Sequence, residues 1–347
     1  MKTIDLRSDT VTLPTPAMRQ AIAAAPLGDD VFGEDPTINK LQQMAAEIMD
    51  KEAALLVASG TMGNLVSILT HCSRGDEVIL GDQSHTFYYE VGGISALGGI
   101  QTHTIPNQPD GTLKLSDIAA AIRPDGSHFP STKLICLENT QNRCGGVILK
   151  PDYMNSVAEL AKQNNLKIHL DGARIFNATV ALGTDVKELV KDADSVMFCL
   201  SKGLAAPVGS VICGSAEFIE KAHKIRKMVG GGMRQAGIIA AAGIIALEQM
   251  IDRLAEDHKN ANKLARAIAQ IKGFSINLNA VQTNIVYFDL DSENITAQQV
   301  VEKAKQKGIL LLNLGGKTLR MVTHYGIESE DIETTISALS QIMKKLK

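Results

Sequence analysis

The sequence predicts an α/β protein with a mostly parallel central sheet, helices on both faces of that sheet, and a smaller carboxy-terminal α+β domain. Three observations support this fold class. Short β-rich runs alternate with helical patterns over most of the chain. Long helical segments begin at Ala236, and the residues after them mix strand and helix patterns. A chain of 347 residues is also long enough for about two domains.

The predicted strands of the large sheet are short apolar runs. They are Ala53–Ala58, Glu77–Leu80, Gln101–Ile105, Lys133–Glu138, Leu166–Leu170, Ser195–Leu200 and Val208–Cys213. Ligands of such sheets bind outside the carboxyl ends of the strands. The residues that follow each run are therefore the first candidates for function.

The carboxy-terminal third has a different pattern. Helical patterns cover Ala236–Ile251, Arg253–Ile271, Thr296–Lys307 and Ser329–Lys345, and strand patterns cover Asn284–Asp289 and Leu319–Val322. We therefore predict a large domain over residues 1–250, which includes the amino-terminal segment, and a small α+β domain over residues 251–347.

The composition excludes several classes of protein. The fractions of 45% hydrophobic and 21% charged residues are ordinary for a globular chain, and the net charge of -3 offers no attraction to nucleic acid or to an anionic membrane. The longest apolar stretch, Ala236–Leu247, is shorter than the ~20 residues that span a bilayer. Residues Met1–Asp9 lack the apolar region of a secretory signal.

Cysteines and metal ligands give little positive signal. The five cysteines are odd in number and show no Cys-x-x-Cys spacing, which argues against a disulfide framework and indicates the reducing cytoplasm. Possible metal ligands form no convincing cluster along the sequence. We therefore expect a cytoplasmic protein, and we assign no metal-binding residue.

The hexapeptide Ser59-Gly60-Thr61-Met62-Gly63-Asn64 lies between an apolar run and a helical pattern, at a strand-to-helix turn. Free N–H groups at a helix N-terminus bind phosphate, and glycine lets the backbone approach it closely. Gly60 and Thr61 are therefore candidate phosphate ligands. A plain N-cap formed by Ser59 or Thr61 is the alternative.

Asp171 ends the strand pattern Leu166–Leu170. A carboxylate at a strand end could hold a pyridine nitrogen in its protonated form, although Asp171 could equally be a helix N-cap. His169 shares a strand face with Asp171 and could orient that carboxylate. A buried, hydrogen-bonded histidine without a chemical role is the alternative.

Lys202 follows the apolar run Val196–Leu200. Desolvation lowers the pKa of a lysine amine and makes it a nucleophile toward aldehydes, whereas an exposed loop lysine is the alternative. A phosphate turn, an acidic strand end and a strand-end lysine occur here in the chain order of fold-type I pyridoxal-phosphate enzymes. The combination indicates that class of enzyme.

The chain resembles the low-specificity L-threonine aldolases over essentially its whole length. The segments that carry the resemblance are Leu6–Thr10, Gly28–Pro36, Glu138–Thr140, His169–Arg174, Ser201–Leu204 and Gly230–Gln235. The resemblance implies a fold-type I, PLP-dependent transferase-like fold with pyridoxal 5'-phosphate as cofactor. It also implies a lyase that cleaves L-threonine, L-allo-threonine and related β-hydroxy-α-amino acids to glycine and an aldehyde.

The same resemblance implies roles for the candidate cofactor residues. Lys202 would be the Schiff-base lysine, Asp171 would pair with the pyridine nitrogen, and Gly60 and Thr61 would hold the phosphate. His85 would stack on the cofactor ring, although its local pattern alone also fits an exposed loop.

Basic residues complete the implied site. Ser8, Arg174 and Arg320 match positions that bind the substrate carboxylate, which an arginine can hold in bidentate fashion, and Arg174 also counts among the cofactor-binding residues. Lys227 and Arg234 flank a three-glycine turn that in similar enzymes approaches the cofactor of the neighbouring subunit. This implies a homodimer with shared active sites and a tetramer beyond it; solvated charges on a glycine turn are the alternative.

Two histidines, His85 and His128, are candidates for the base that takes the β-hydroxyl proton. His128 is expected near the β-substituent, or as an ordinary exposed loop histidine. Two positions depart from the family pattern. Gln141 stands where relatives commonly have histidine, which argues against a proton-handling role there, and Ala205 stands where relatives often have glycine, which should slightly restrict the backbone.

Two other functions fit part of the sequence. A β-eliminating lyase or an aminotransferase on the same scaffold would also use Lys202 and Asp171. A binding or sensor module that keeps the fold without catalysis is the second alternative, against which the lysine, the aspartate and both carboxylate arginines argue.

Overall fold

The computed structural model describes residues 2–346. Its strands are β1 Ile4–Asp5, β2 Ala53–Val57, β3 Glu77–Gly81, β4 Gln101–Ile105, β5 Thr132–Glu138, β6 Lys167–Asp171, β7 Ser195–Cys199, β8 Ser210–Gly214, β9 Phe274–Ser275, β10 Ile285–Leu290, β11 Ile309–Leu310, β12 Leu312–Asn313 and β13 Thr318–Val322. Its helices are α1 Pro16–Ala24, α2 Pro36–Met49, α3 Gly60–His71, α4 His85–Tyr88, α5 Gly93–Ala96, α6 Leu115–Ala121, α7 Pro151–Gln163, α8 Ile175–Leu182, α9 Val186–Val190, α10 Ala216–Met228, α11 Gly237–Gln249, α12 Leu254–Ile268, α13 Ala297–Gln306 and α14 Ser329–Leu346.

Strands β2 to β8 form one sheet in the order β2-β8-β7-β6-β5-β3-β4. The strands from β7 to β4 run parallel, whereas β8 is antiparallel to both β2 and β7. The chain goes from β3 outward to β4 and then returns to the other side of β3 with β5. Such a reversal opens a crevice at the carboxyl ends of the strands, which is where ligands bind in this kind of sheet.

Each of the predicted strands of the large sheet is present, with bounds that differ by at most two residues at either end. The predicted fold class, α/β with a mostly parallel sheet and a smaller α+β unit, is confirmed. Buried strands of a parallel sheet are continuous apolar runs, and this explains why the pattern located them. The antiparallel direction of β8 was not predicted, because an apolar run carries no information on strand direction.

The smaller unit has its own sheet, in the order β12-β13-β10-β9, and its own apolar core. Ile4 and Leu6 belong to this second core, and β1 pairs in parallel with β11. The division at residue 250 stays a proposal. In the structure the amino-terminal strand lies with the smaller unit, while Leu254 packs into the core of the large sheet.

None of the helices between residues 2 and 346 combines the length and apolar character that crossing a bilayer requires.

Ala205 has a left-handed backbone, with φ of 61°, and its N–H donates to the Lys202 carbonyl at 2.9 Å. A side chain in this region of φ is strained, because its Cβ crowds the following carbonyl oxygen. The neighbouring Ala206 is not among the residues with positive φ, and both alanines are fully buried. The restriction expected at position 205 is therefore a strained turn directly after the candidate lysine.

We predict that Ala206→Gly lowers the free energy of unfolding by about 1–2 kcal/mol more than Ala205→Gly does. Each substitution removes one buried methyl group and adds the same flexibility to the unfolded chain, so these costs cancel in the comparison. Only glycine at position 205 relieves the left-handed strain. Urea denaturation of both variants measures the difference, and equal losses would show that the turn carries no strain.

Candidate active site

The candidate residues at the ends of β3, β6 and β7 lie at the carboxyl edge of the large sheet. Asp171 is the last residue of β6, Lys202 follows β7, and His85 begins the short helix α4 after β3. The charges of Asp171 and Lys202 both act on the imidazole of His85, the first raising and the second lowering its pKa. The structure therefore brings these three predicted residues together.

The predicted phosphate turn is the N-terminus of α3. Ser59 is its N-cap and accepts a hydrogen bond from the Met62 N–H at 3.2 Å, which leaves the N–H groups of Gly60 and Thr61 outside this cap. Thr61 is exposed and Gly60 partly so. A Cβ at Gly60 would lie 2.9 Å from the Cys199 sulfur, so only glycine fits here without a shift. The turn can bind an anion from the solvent side.

Asp171 is 4% exposed and its carboxylate has two protein donors. Oδ1 accepts from the Ala173 N–H at 3.0 Å, and Oδ2 accepts from the Asn64 side-chain amide at 2.8 Å. His169 reaches the carboxylate only through Asn64, whose Oδ1 lies 3.1 Å from His169 Nε2. The predicted interaction between His169 and Asp171 is therefore indirect, because the side chain of Asn64 lies between them.

His85 is fixed by two carboxylates. Its backbone N–H donates to Glu138 Oε2 at 2.6 Å, and its Nδ1 lies 2.9 Å from Glu90 Oε1. Burial would lower the pKa of His85, but the hydrogen bond that its Nδ1 donates to Glu90 and the charge of Asp171 outweigh burial and raise it. Burial and the nearby Asp171 raise the pKa of Glu138 to about 7. Glu90 thus holds one edge of the imidazole, and a third of the His85 side chain is exposed.

Arg174 is paired with Asp9 in a bidentate ion pair that is almost completely buried. Its Nε and Nη2 lie 2.6 and 2.7 Å from the two carboxylate oxygens. Burial would raise the pKa of Asp9, but the Arg174 guanidinium holds it well below its ordinary value. Asn284 adds a third donor to Asp9 at 3.3 Å. The carboxylate-binding edge of Arg174 is therefore occupied by the protein's own Asp9.

Arg320 lies in the middle of β13 and retains donors for a ligand. Its Nη2 donates to the Arg7 carbonyl at 2.9 Å, and its Nε is buried without a hydrogen-bond partner within residues 2–346. Ser8 is the next residue after Arg7, and its hydroxyl accepts from the Thr10 N–H at 3.2 Å. Arg320 thus contacts the amino-terminal segment at the residue directly before Ser8.

The remaining candidates lie on the surface. Lys227 and Arg234 are exposed on either side of the glycine turn, and Arg234 pairs with Asp29 at 3.2 Å. His128 is exposed in the loop before β5, at the opposite end of that strand from Glu138. Seven residues of strand put roughly 20 Å between the two ends. Within one chain, the structure does not bring His128 to the other candidates.

Sequence reasoning gave no role to several residues of the site. Asn64, Asp9 and Glu138 lie inside motifs that were singled out for other reasons, whereas Glu90 lies in no motif and only its place after His85 points to it. His85, Glu90 and Asp171 also bring one ligand atom each within 4.8 Å of one another, a cluster that spacing along the sequence did not reveal.

The donor set fits pyridoxal phosphate. A buried carboxylate suits a protonated ring nitrogen, a strand-end amine suits the aldehyde carbon, and the open N-terminus of α3 suits the phosphate. The orphaned Nε of Arg320 provides an observation independent of the motifs, because a buried guanidinium nitrogen without a partner calls for an anionic ligand. Fold and site together define a fold-type I enzyme that acts on amino acids.

Comparison with known proteins identifies the family. Residues 5–291 match the family described as Beta-eliminating lyase. The chain is 51% identical to low-specificity L-threonine aldolase 1 of Arabidopsis thaliana, over 99% of this chain and 97% of that protein. It is 46% identical to the low specificity L-threonine aldolase of Escherichia coli O157:H7, over 95% and 96% of the two chains. The chain therefore belongs to the beta-eliminating lyase family and, within it, to the low-specificity L-threonine aldolases.

A solved structure of a Leishmania major threonine aldolase has the same fold, with a TM-score of 0.83 at 18% identity, over 98% of this chain and 99% of that one. The family and fold predicted from the sequence are confirmed.

We predict that Asp9→Leu lowers the free energy of unfolding by about 3–5 kcal/mol, because it leaves the buried Arg174 guanidinium without a counter-charge. The double variant Asp9→Leu/Arg174→Met should recover most of this loss, since it removes both charges. Denaturant titration checks both variants. Glu217→Gln, which breaks the exposed ion pair with Lys221, is the matched control and should cause no measurable change. If Asp9→Leu lowered the free energy of unfolding as little as Glu217→Gln does, the buried ion pair would not be important for stability.

Proposed function

We propose that the chain binds pyridoxal 5'-phosphate through Lys202 and cleaves L-threonine, L-allo-threonine and related β-hydroxy-α-amino acids to glycine and an aldehyde. The observation that carries the proposal is that Asp171, at the end of β6, lies within 4.8 Å of His85, while Lys202 follows the neighbouring strand β7 at the same carboxyl edge of the sheet. Membership of the aldolase family supports the same reaction.

When bound, the cofactor supplies a protonated pyridine ring that accepts the electron pair released as the Cα–Cβ bond breaks. Asp171 would hold the proton on the ring nitrogen, because a carboxylate within hydrogen-bond reach favours the charged ring. The N–H groups of Gly60 and Thr61 would bind the phosphate. His85 would lie against the ring face, where Glu90 fixes the angle of its imidazole.

The substrate carboxylate would bind to Arg320 and Ser8. Arg320 has a buried Nε without a partner, whereas Nε and Nη2 of Arg174 already bind Asp9. Arg174 would therefore contribute through Nη1 and by its positive charge. A carboxylate held at this position fixes the rotation about Cα, and that rotation decides which bond to Cα stands perpendicular to the ring and breaks.

His85 is the base that the single chain supports. It lies beside Lys202 and Asp171, and a histidine can accept the β-hydroxyl proton near neutral pH. His128 could act only in a neighbouring subunit's site, because its own site lies at the far end of β5.

We also propose a homodimer with shared active sites, and a tetramer built from it. The exposed apolar side chains Met228 and Ile238 lie close to Lys227 and Arg234 along the chain, and exposed Phe32 lies three residues after Asp29, which pairs with Arg234. Apolar exposure beside basic groups is typical of an interface between subunits. In this arrangement Lys227 and Arg234 would reach the phosphate bound to the partner. The five free cysteines support a reducing cytoplasmic location.

We predict that the purified protein, loaded with the cofactor, releases glycine and acetaldehyde from threonine and allo-threonine. Lys202→Ala should lose both turnover and the visible absorbance of the lysine-bound cofactor, because Lys202 is the amine that we propose to hold the aldehyde carbon. Product analysis separates the alternatives. Ammonia with a keto acid would indicate a β-eliminating lyase, and amino transfer to an acceptor would indicate an aminotransferase; either product as the main one would overturn the aldolase assignment.

We predict that His85→Asn lowers kcat by about 10²–10⁴-fold, because asparagine keeps a donor toward Glu90 but cannot accept a proton. In the unsubstituted enzyme kcat should fall as the pH decreases through the raised pKa of His85, since only the neutral imidazole is a base. Steady-state rates over a range of pH measure both effects. A larger loss of kcat in His128→Asn than in His85→Asn would show that the base is His128 of the partner subunit.

A further inference from the structure

Asn64 is in contact with both carboxylates that serve the cofactor site. We infer that Asn64 is a positioning residue whose side-chain amide holds Asp171 and the Glu90–His85 pair in one fixed arrangement, with His169 fixing the orientation of the amide. This inference rests on the proposed function, in which Asp171 faces the ring nitrogen and His85 the ring face. It adds a residue to which the family motifs give no such role.

The amide of Asn64 has two N–H donors, and each binds a different carboxylate. Nδ2 lies 2.8 Å from Glu90 Oε1 and 2.8 Å from Asp171 Oδ2. Asn64 is fully buried, and the two acids are 5% and 4% exposed. A flipped amide would place its oxygen against both carboxylates, so the hydrogen-bond network allows only one orientation.

The Oδ1 atom of Asn64 then determines the tautomer of His169. His169 Nε2 lies 3.1 Å from this oxygen and must carry a hydrogen in order to donate. Burial lowers the pKa of His169 to about 4, so the ring is neutral and its Nδ1 is an acceptor. The Ser195 hydroxyl, 2.8 Å away, donates to Nδ1. His71 Nε2, also 2.8 Å from that hydroxyl, is the donor to Ser195.

Every hydrogen in this chain of contacts therefore has one direction, from His71 through Ser195, His169 and Asn64 to the two carboxylates. A structural role alone would need only that the buried polar groups be satisfied. Here the two groups at the end of the chain are Asp171, which would face the ring nitrogen, and Glu90, which holds the imidazole that would face the ring. Two carboxylates whose oxygens lie this close repel each other unless donors stand between them, and the Asn64 amide supplies those donors.

The same contacts argue against a cation as the partner of this cluster. His85, Glu90 and Asp171 have the ligand types of a metal site. The Asn64 N–H groups point at two of these three ligands, however, and would face the ion with their positive ends.

The tautomer of His169 can be tested in the cofactor-free wild-type protein. Histidine labelled with ¹⁵N, assigned by comparison with His169→Gln, should show His169 as the neutral ring with the hydrogen on Nε2. Two results would overturn the inference. A hydrogen on Nδ1 instead of Nε2 would leave Asn64 Oδ1 without its donor, and a charged ring at neutral pH would require the Ser195 hydroxyl to accept from Nδ1 instead of donating to it. This measurement needs no active enzyme, and so it stands apart from the product assay.

The role of Asn64 can be tested with Asn64→Asp and Asn64→Leu. Asn64→Asp keeps the shape of the side chain but places an oxygen between two carboxylates, and Asn64→Leu removes both donors. Each variant should bind pyridoxal phosphate about 10- to 100-fold more weakly, the effect of one or two hydrogen bonds to a charged group. Their kcat should fall more than their KM changes, since the substrate carboxylate is bound elsewhere.

Ser67→Ala is the matched control, because Ser67 is a fully buried residue of the same helix whose hydroxyl has no partner within residues 2–346. It should leave cofactor affinity and kcat unchanged. Thermal unfolding without cofactor detects variants that fail to fold, in which case the wild-type tautomer decides. Normal cofactor affinity and kcat in a folded Asn64→Asp would overturn the inference, while glycine and acetaldehyde as products of the wild-type protein would leave the proposed function standing.

Discussion

Two acidic residues at neighbouring strand ends are the constraint on which the site depends. Glu138 and Asp171 are register partners on β5 and β6, and both are buried. Because their charges repel, each needs donors. Glu138 receives the N–H groups of His85 and Asn142, whereas Asp171 receives Ala173 and the Asn64 amide. The parallel register thus places the two carboxylates side by side. The hydrogen bonds that they accept fix the start of α4, which carries the His85 imidazole, and the first turns of α3, which begin with the phosphate turn.

A second buried charge connects the site to the smaller unit. Asp9 follows β1, which pairs with β11, and its carboxylate binds Arg174 of the large unit and Asn284 just before β10. The hydroxyl of Thr12 in the same segment donates to the Lys202 carbonyl at 3.0 Å. The amino-terminal segment therefore contacts both cores and the backbone of the candidate lysine. Any shift of the smaller unit acts on the site through this segment, because a buried ion pair tolerates little separation of its charges.

The sequence predicted the parts of the fold and site that leave a local signal. Buried strands are apolar runs and their ends are polar, so the sheet and the residues Asp171 and Lys202 could be located. The pairing of β1 with β11 joins two strands of two residues about 300 positions apart, and such short strands show no periodicity. Glu90 lies at the site because the short helix α4 places it next to His85, and no local sequence pattern predicts that helix. The position of His128 depends on which end of β5 it precedes, and only the topology gives this.

Gln141 shows how a departure from the family pattern narrows the chemistry. Its side chain is 1% exposed; Nε2 donates to the Gln83 carbonyl at 2.9 Å, and Oε1 accepts from the Cys144 N–H at 2.7 Å. Gln83 lies two residues before His85, so this amide braces the loop that carries the imidazole. An amide cannot take a proton near neutral pH, but it can hold a loop as firmly as a histidine can. Position 141 therefore braces the loop that carries His85, the residue that we propose as the base for the β-hydroxyl proton.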